Sequence, residues 1–120
     1  MNDKLKELQE REKNIKKRMG DLLVKIRKAN GIESSFNVTR ELDQSSATLR
    51  NIEKGLSFPT KKTLKELMSL YIMTIPEKEE ILRLKNEMTK IRMIMKKNRK
   101  GEIRRWIYVL SQEDWQKILK

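Results

Sequence analysis

Residues 45 to 59, Ser-Ser-Ala-Thr-Leu-Arg-Asn-Ile-Glu-Lys-Gly-Leu-Ser-Phe-Pro, write out a short helix together with both of its boundaries. Ser45 is an N-cap type, Gly55 suits the left-handed residue that closes a helix, and Pro59 keeps the helix from resuming. Leu49 and Ile52 fall on one face, which predicts the buried side, while Ser46, Ala47, Arg50 and Asn51 point outward. Capping and termination alone describe many helices, so the neighbouring segments decide what this one is for.

Upstream, Gly20 to Gly31 is a helical run in which Leu22, Leu23 and Ile26 share a face and Gly31 ends the helix. The next helix is predicted over Ser34 to Leu42, with Ser34 or Ser35 as N-cap and Val38 and Leu42 one turn apart. A short connection through Asp43 and Gln44 then leads to Ser45. Helix, tight turn and helix in this order make a helix-turn-helix unit. After Pro59, Thr60 caps another helix with Leu64, Leu67, Leu70 and Tyr71 at helical spacing.

From Met19 to about Tyr71 the chain resembles the Cro/CI-type (XRE, lambda-repressor-like) helix-turn-helix family. The residues that carry the resemblance are Leu49-x-x-Ile52-Glu53-x-Gly55-x-x-x-Pro59, followed by Leu64-x-x-Leu67, with Gly20 and Arg27 in the first helix. It implies a mainly α, compact domain of four or five helices that binds double-stranded DNA. Base contacts would come from Ser46, Ala47, Arg50 and Asn51; Asn and Arg are the side chains that pair bidentately with adenine and guanine. Backbone-phosphate contacts are carried onto the helix starts at Ser34, Ser35, Ser45 and Thr48. Lys54, Ser57, Lys61 and Lys62, which flank the end of the same helix, are expected to act as phosphate clamps. Arg27 and Glu53 would form a structural ion pair between the first and third helices. The chain departs from the family where Ser35 stands for glutamine, Thr39 for alanine, Asp43 for glycine and Gln44 for a small apolar residue, and Glu33 reads as an insertion. Aspartate at a turn tolerates unusual backbone angles better than most residues.

Composition bounds the remaining possibilities. A chain of 120 residues suits one small domain with appendages. Its 29 Lys and Arg against 17 Asp and Glu leave a formal charge of +12. Such an excess favours polyanions, because each neutralised phosphate releases condensed counterion. An acidic membrane surface would be served equally, and the helix-turn-helix tips the balance toward nucleic acid. The chain has no cysteine and no histidine, which excludes disulfides, thiolate chemistry, the usual zinc sites and any histidine base. The expectation is therefore a non-enzyme with no cofactor and no metal. No apolar run approaches the roughly 20 residues that span a bilayer, and Met1-Asn2-Asp3-Lys4 does not open a signal peptide. A cytoplasmic protein of a bacterium or mobile element, with no membrane partner, is expected.

Two flanks frame the domain, which is drawn as residues 19–75. Residues 1–18 read as a basic helical arm. Leu5, Leu8, Ile15, Met19, Leu22 and Ile26 keep a heptad rhythm interrupted by Glu12, and the helix either runs on or breaks at Gly20. Residues 76–120 read as an extension entered through Thr74-Ile75-Pro76-Glu77, a helix-start signature. There Ile81, Leu84, Met88, Ile91 and Met95 recur at coiled-coil spacing. Met88, Ile91 and Met95 are expected to serve a homodimer, with packing onto the N-terminal helix as the alternative. The run Lys96 to Gly101 reads as a turn. Residues 103–110 fit strand or helix, and Trp106, Tyr108 and Trp115 mark the tail as a possible dimer or protein-partner surface.

The leading functional expectation is sequence-specific binding of double-stranded DNA by a transcriptional repressor or autoregulator. The alternatives are an antitoxin or accessory DNA-processing protein whose tail binds a protein partner, and a nucleic-acid-coating protein without sequence preference.

Overall fold

The computed structural model describes residues 2–99, and these are mainly helical, with no strand among them. Five helices follow one another: α1 (Asn2–Ala29), α2 (Ser35–Thr39), α3 (Ser46–Glu53), α4 (Lys61–Leu70) and α5 (Ile75–Arg99). The tail question over residues 103–110, and with it Trp106, Tyr108 and Trp115, lies outside the described residues. No described helix is long and apolar enough to cross a membrane. The chain forms two compact units, one of residues 16–81 and one that contains residues 2–15 and 82–99.

In the unit of residues 16–81, α1 runs through Gly20 without a break. Its buried Met19, Leu23 and Ile26 share the core with Val38 of α2, Leu49 and Ile52 of α3, Leu64 and Leu67 of α4, and Tyr71. The expected second helix is corrected to Ser35–Thr39, which leaves Leu42 in the connection. Ser34 is the N-cap and accepts from the Asn37 N–H. Phe36, Asn37, Val38 and Thr39 are all modest helix formers. The chain then tightens: Glu41 and Leu42 donate to the carbonyls three residues back, and the Thr39 hydroxyl donates to Phe36 O at 2.5 Å.

The connection to α3 also differs from expectation, because no described residue other than glycine has a positive φ. Asp43 therefore does not serve as a left-handed turn residue; its carboxylate accepts from Lys62 Nζ at 3.1 Å instead. The left-handed positions are Gly31 and Gly55. At Gly55 the N–H groups of residues 55 and 56 donate to Ile52 O and Asn51 O, which is the two-bond Schellman closure. A Cβ there would also lie 2.9 Å from Lys17 Cα. Gly55→Ala is thus expected to cost about 1–2 kcal/mol for the left-handed backbone alone, read as a lower urea midpoint.

Two further devices pin the end of this unit. Asn30 holds Ile72 at two points, accepting from its N–H at 2.8 Å and donating to its carbonyl at 3.0 Å. Thr74 and Glu77 form a reciprocal capping box at the start of α5. The backbone N–H of Thr74 lowers the Glu77 pKa. The box is complete above the ordinary carboxylate range and is lost as pH falls through the lowered value.

In the other unit, Leu8 and Ile15 of α1 and Leu84, Met88, Ile91 and Ile94 of α5 are buried. Glu87 is also buried and accepts from Arg11 across the unit at 2.8 Å and from Arg83 on its own helix. Two guanidinium groups on one carboxylate compensate a charge that burial alone would penalise. Within the chain Met88 and Ile91 are 1% and 0% exposed, and Met95 is half-buried. Lys96 to Arg99, expected as a turn, continue α5, since Lys and Arg are good helix formers and a charge run does not by itself stop a helix.

Candidate nucleic-acid interface

The outward face of α3 is set by what the other face buries. Ser45 caps the helix, accepting from Thr48 N–H at 3.1 Å, and its hydroxyl also meets the Thr48 hydroxyl at 2.8 Å. Leu49 and Ile52 then point to the core. With an α-helical period, this leaves Ala47, Thr48, Arg50, Asn51 and Lys54 exposed along one side, with Ser46 half-buried at its margin. No other described residue engages the Arg50 guanidinium or the Asn51 amide. The face offers donors and acceptors of the kind that read base edges, on a support that is already packed.

That support is built at the end of α3. Arg27 of α1 donates from Nε to Glu53 at 2.8 Å and from Nη1 to Ile32 O at 2.9 Å. Gly20 lies against the same turn, close enough that a Cβ would sit 2.6 Å from Ile52 O and 2.7 Å from Glu53 O. Tyr71 is buried beside the pair, and its phenol is pushed from 10.0 up to about 12, chiefly by burial and further by the Glu53 charge, with Arg27 opposing. The sign follows directly. A raised pKa keeps its stabilising effect below the unfolded value and loses it as pH rises through the folded one. Stability is expected to fall between about pH 10 and 12, and Tyr71→Phe is expected to flatten that fall when urea midpoints are measured across the range.

The remaining sequence-predicted contacts are distributed unevenly. Ser34 and Ser45 hold cap positions, where each hydroxyl accepts from backbone, and the Ser45 hydroxyl is also shared with Thr48. Ser35 and Ser57 are half-buried, whereas Lys54 and Lys61 are exposed. Lys62 is also exposed but holds Asp43, whose hydrogen bond and charge raise its pKa. A phosphate at Lys62 therefore has to compete with an existing carboxylate partner.

Three contacts had no signature in the sequence: the approach of Gly55 to Lys17, the Asn30 clamp on Ile72, and the Arg11–Glu87–Arg83 cluster. Each joins residues far apart in the chain or turns on a backbone distance. Ile72, which the Asn30 clamp holds by its backbone, and Ile75 are exposed at 86% and 71%. Comparison with protein-family models, curated proteins and solved structures gives no match to this chain.

Proposed function

We propose that this protein binds double-stranded DNA by sequence, with α3 in the major groove, and acts as a repressor or autoregulator. One observation carries the reading. Arg50 and Asn51 stand exposed, with no described residue engaging them, on a capped helix whose opposite face is fastened by Leu49, Ile52 and the Arg27–Glu53 pair. A lambda-repressor-like arrangement of the unit of residues 16–81 is part of the proposal, supported by the helix order and by the Gly20 approach to α3. Capped helix starts at Ser34 and Ser45, with Lys54 and Lys61, would orient the domain on the phosphate backbone without reading sequence.

A protein partner is the second reading, favoured by the exposed Ile72 and Ile75. Apolar side chains on that scale at one corner suit a contact with another polypeptide.

Selection of binding sites from a random duplex library tests the first reading. Wild type is expected to enrich a defined motif. Arg50→Ala or Asn51→Ala is expected to weaken binding to that motif by about tenfold or more, since a good bidentate pair contributes about 1–3 kcal/mol of discrimination. Both side chains are exposed, so the fold should be unchanged. A palindrome would indicate a dimer on DNA, with half-sites spaced by about a helical turn. Failure to enrich any motif would count against sequence reading.

A further inference from the structure

Lys16, Lys17 and Arg18 follow one another on α1 inside the unit of residues 16–81, and the fold treats each differently. Arg18 reaches Glu80 at 3.4 Å, and Lys16 has an interaction of its own. Lys17, between them, is exposed, and no described residue pairs with it. Its backbone, by contrast, is tightly placed. Gly55, with a φ of 78°, brings the loop after α3 so close to α1 that a Cβ on it would lie 2.9 Å from Lys17 Cα and 3.4 Å from Lys17 Cβ. Only a residue without a Cβ permits that approach at little cost. Lys54 directly precedes Gly55 and is exposed as well. Two lysines from segments remote in sequence are thereby rooted on adjacent backbone at the closing end of α3.

No described residue uses these two charges. The acid beside Lys54, Glu53, is turned inward to Arg27 at 2.8 Å. Asp21, one turn on from Lys17 along α1, is exposed and bridges neither lysine. Nor is either ammonium group needed as a cap. The carbonyls of Arg50, Asn51 and Ile52 at the end of α3 already accept from the N–H groups of Lys54, Leu56 and Gly55. The negative end of the α3 dipole makes the place hospitable to cations, but it supplies no anion to pair with them. Lys62 shows the other arrangement, since its ammonium group already holds Asp43 at 3.1 Å. A nucleic-acid backbone fits a pair of cations left in this way, because each neutralised phosphate releases condensed counterion. A bilayer fits less well. An interfacial segment buries a continuous apolar face in lipid, whereas this turn exposes a single large apolar side chain, Leu56.

We infer that Lys17 and Lys54 form a phosphate clamp, through which α1 joins the nucleic-acid interface by a residue that precedes the helix-turn-helix stretch. The clamp rests on the reading that α3 faces duplex DNA, and it adds grip on the backbone without reading sequence.

The test measures the affinity of the full chain for the selected duplex and for an unrelated duplex from about 50 to about 200 mM salt. Lys17→Gln is expected to weaken both by the same factor and to make the log–log salt slope shallower by about 1, as loss of one phosphate contact does. Lys54→Gln should do the same, and the double variant should flatten the slope by about 2. Lys17→Arg keeps the charge and should keep the wild-type slope, which separates charge from folding. Lys28→Gln controls for net charge, because Lys28 is exposed on the same helix roughly 16 Å further along; it should leave the slope unmoved. A slope that Lys17→Gln does not change, or that Lys28→Gln changes equally, overturns the clamp. So does loss of binding to phosphatidylglycerol vesicles without loss of duplex affinity, which would assign the charge to membrane. The two readings fail separately. If selection yields no motif yet Lys17→Gln flattens the slope on a random duplex, base-reading by α3 fails and the clamp stands. If wild type keeps its preference while Lys17→Gln moves nothing, the clamp alone fails.

Discussion

Arg27→Met is expected to lower stability by about 3 kcal/mol or more, the range found when one partner of a buried ion pair is removed. The Arg27 side chain is 8% exposed and that of Glu53 15%, so water screens the pair weakly. Methionine fills much of the volume but strands two groups: the Glu53 carboxylate and the Ile32 carbonyl, both of which now accept from the guanidinium. The cost is mainly the penalty of an uncompensated charge, and the cycle follows from that. Arg27→Met combined with Glu53→Leu should recover a large part of the loss, because apolar replacement of a whole buried pair is often neutral. Urea unfolding of the two single variants and the double measures this. Single-variant losses that simply add would show that the two side chains act independently.

Gly20→Ala is expected to destabilise the chain by about 2 kcal/mol, within the 1–3 kcal/mol typical of overpacking. Helix propensity argues the other way, since alanine is favoured over glycine by about 1 kcal/mol in a helix interior. The tertiary clash wins because the atoms in the way are backbone carbonyls of Ile52 and Glu53, at 2.6 and 2.7 Å. A side chain can rotate aside, but the end of α3 has to move. The substitution should therefore also weaken DNA binding through displaced Arg50 and Asn51, if α3 reads DNA as proposed. Gly31→Ala serves as the control. Gly31 has a left-handed φ of 75° but open space around its Cβ, so only the local backbone cost of about 1–2 kcal/mol is expected. A stabilised Gly20→Ala variant would mean that α1 and α3 approach less closely than described.

Much of the helical framework was legible because its determinants are local. Ser45, Thr60 and the Thr74–Glu77 box are caps written within four residues of the bonds they make. Gly55 closes α3 because only a residue without Cβ takes that backbone angle at little cost. The apolar spacing of Leu49 and Ile52, or Leu64 and Leu67, fixes which side of each helix is buried and hence which side of α3 faces out. Where local signals conflict, the fold departs from the helical pattern. Residues 34–42 have a helical pattern but weak helix formers at 36–39, and the helix ends early. Lys96 to Arg99 look like a turn by charge, although charge imposes no backbone angle.

The candidate site divides along the same line. The identity of the outward residues of α3 follows from helical period and burial, both readable along the chain. Whether Lys62 is free is not readable, because Asp43 meets it only once the connection after α2 has been bent toward α4. Nor does the pattern Ile81, Leu84, Met88, Ile91 say what covers it. A second copy and the same chain satisfy an apolar stripe equally well in sequence terms.

Sequence alone therefore determined the order of helices, their caps and their buried stripes, since each rests on backbone chemistry and periodicity within a few residues. Tertiary structure alone decided that α1 continues through Gly20 and that the end of α3 packs closely against it there. It also decided that Met88 and Ile91 are buried within the chain. The physical reason is the same in each case: these outcomes depend on distances between segments remote in sequence, and close packing, not propensity, sets those distances.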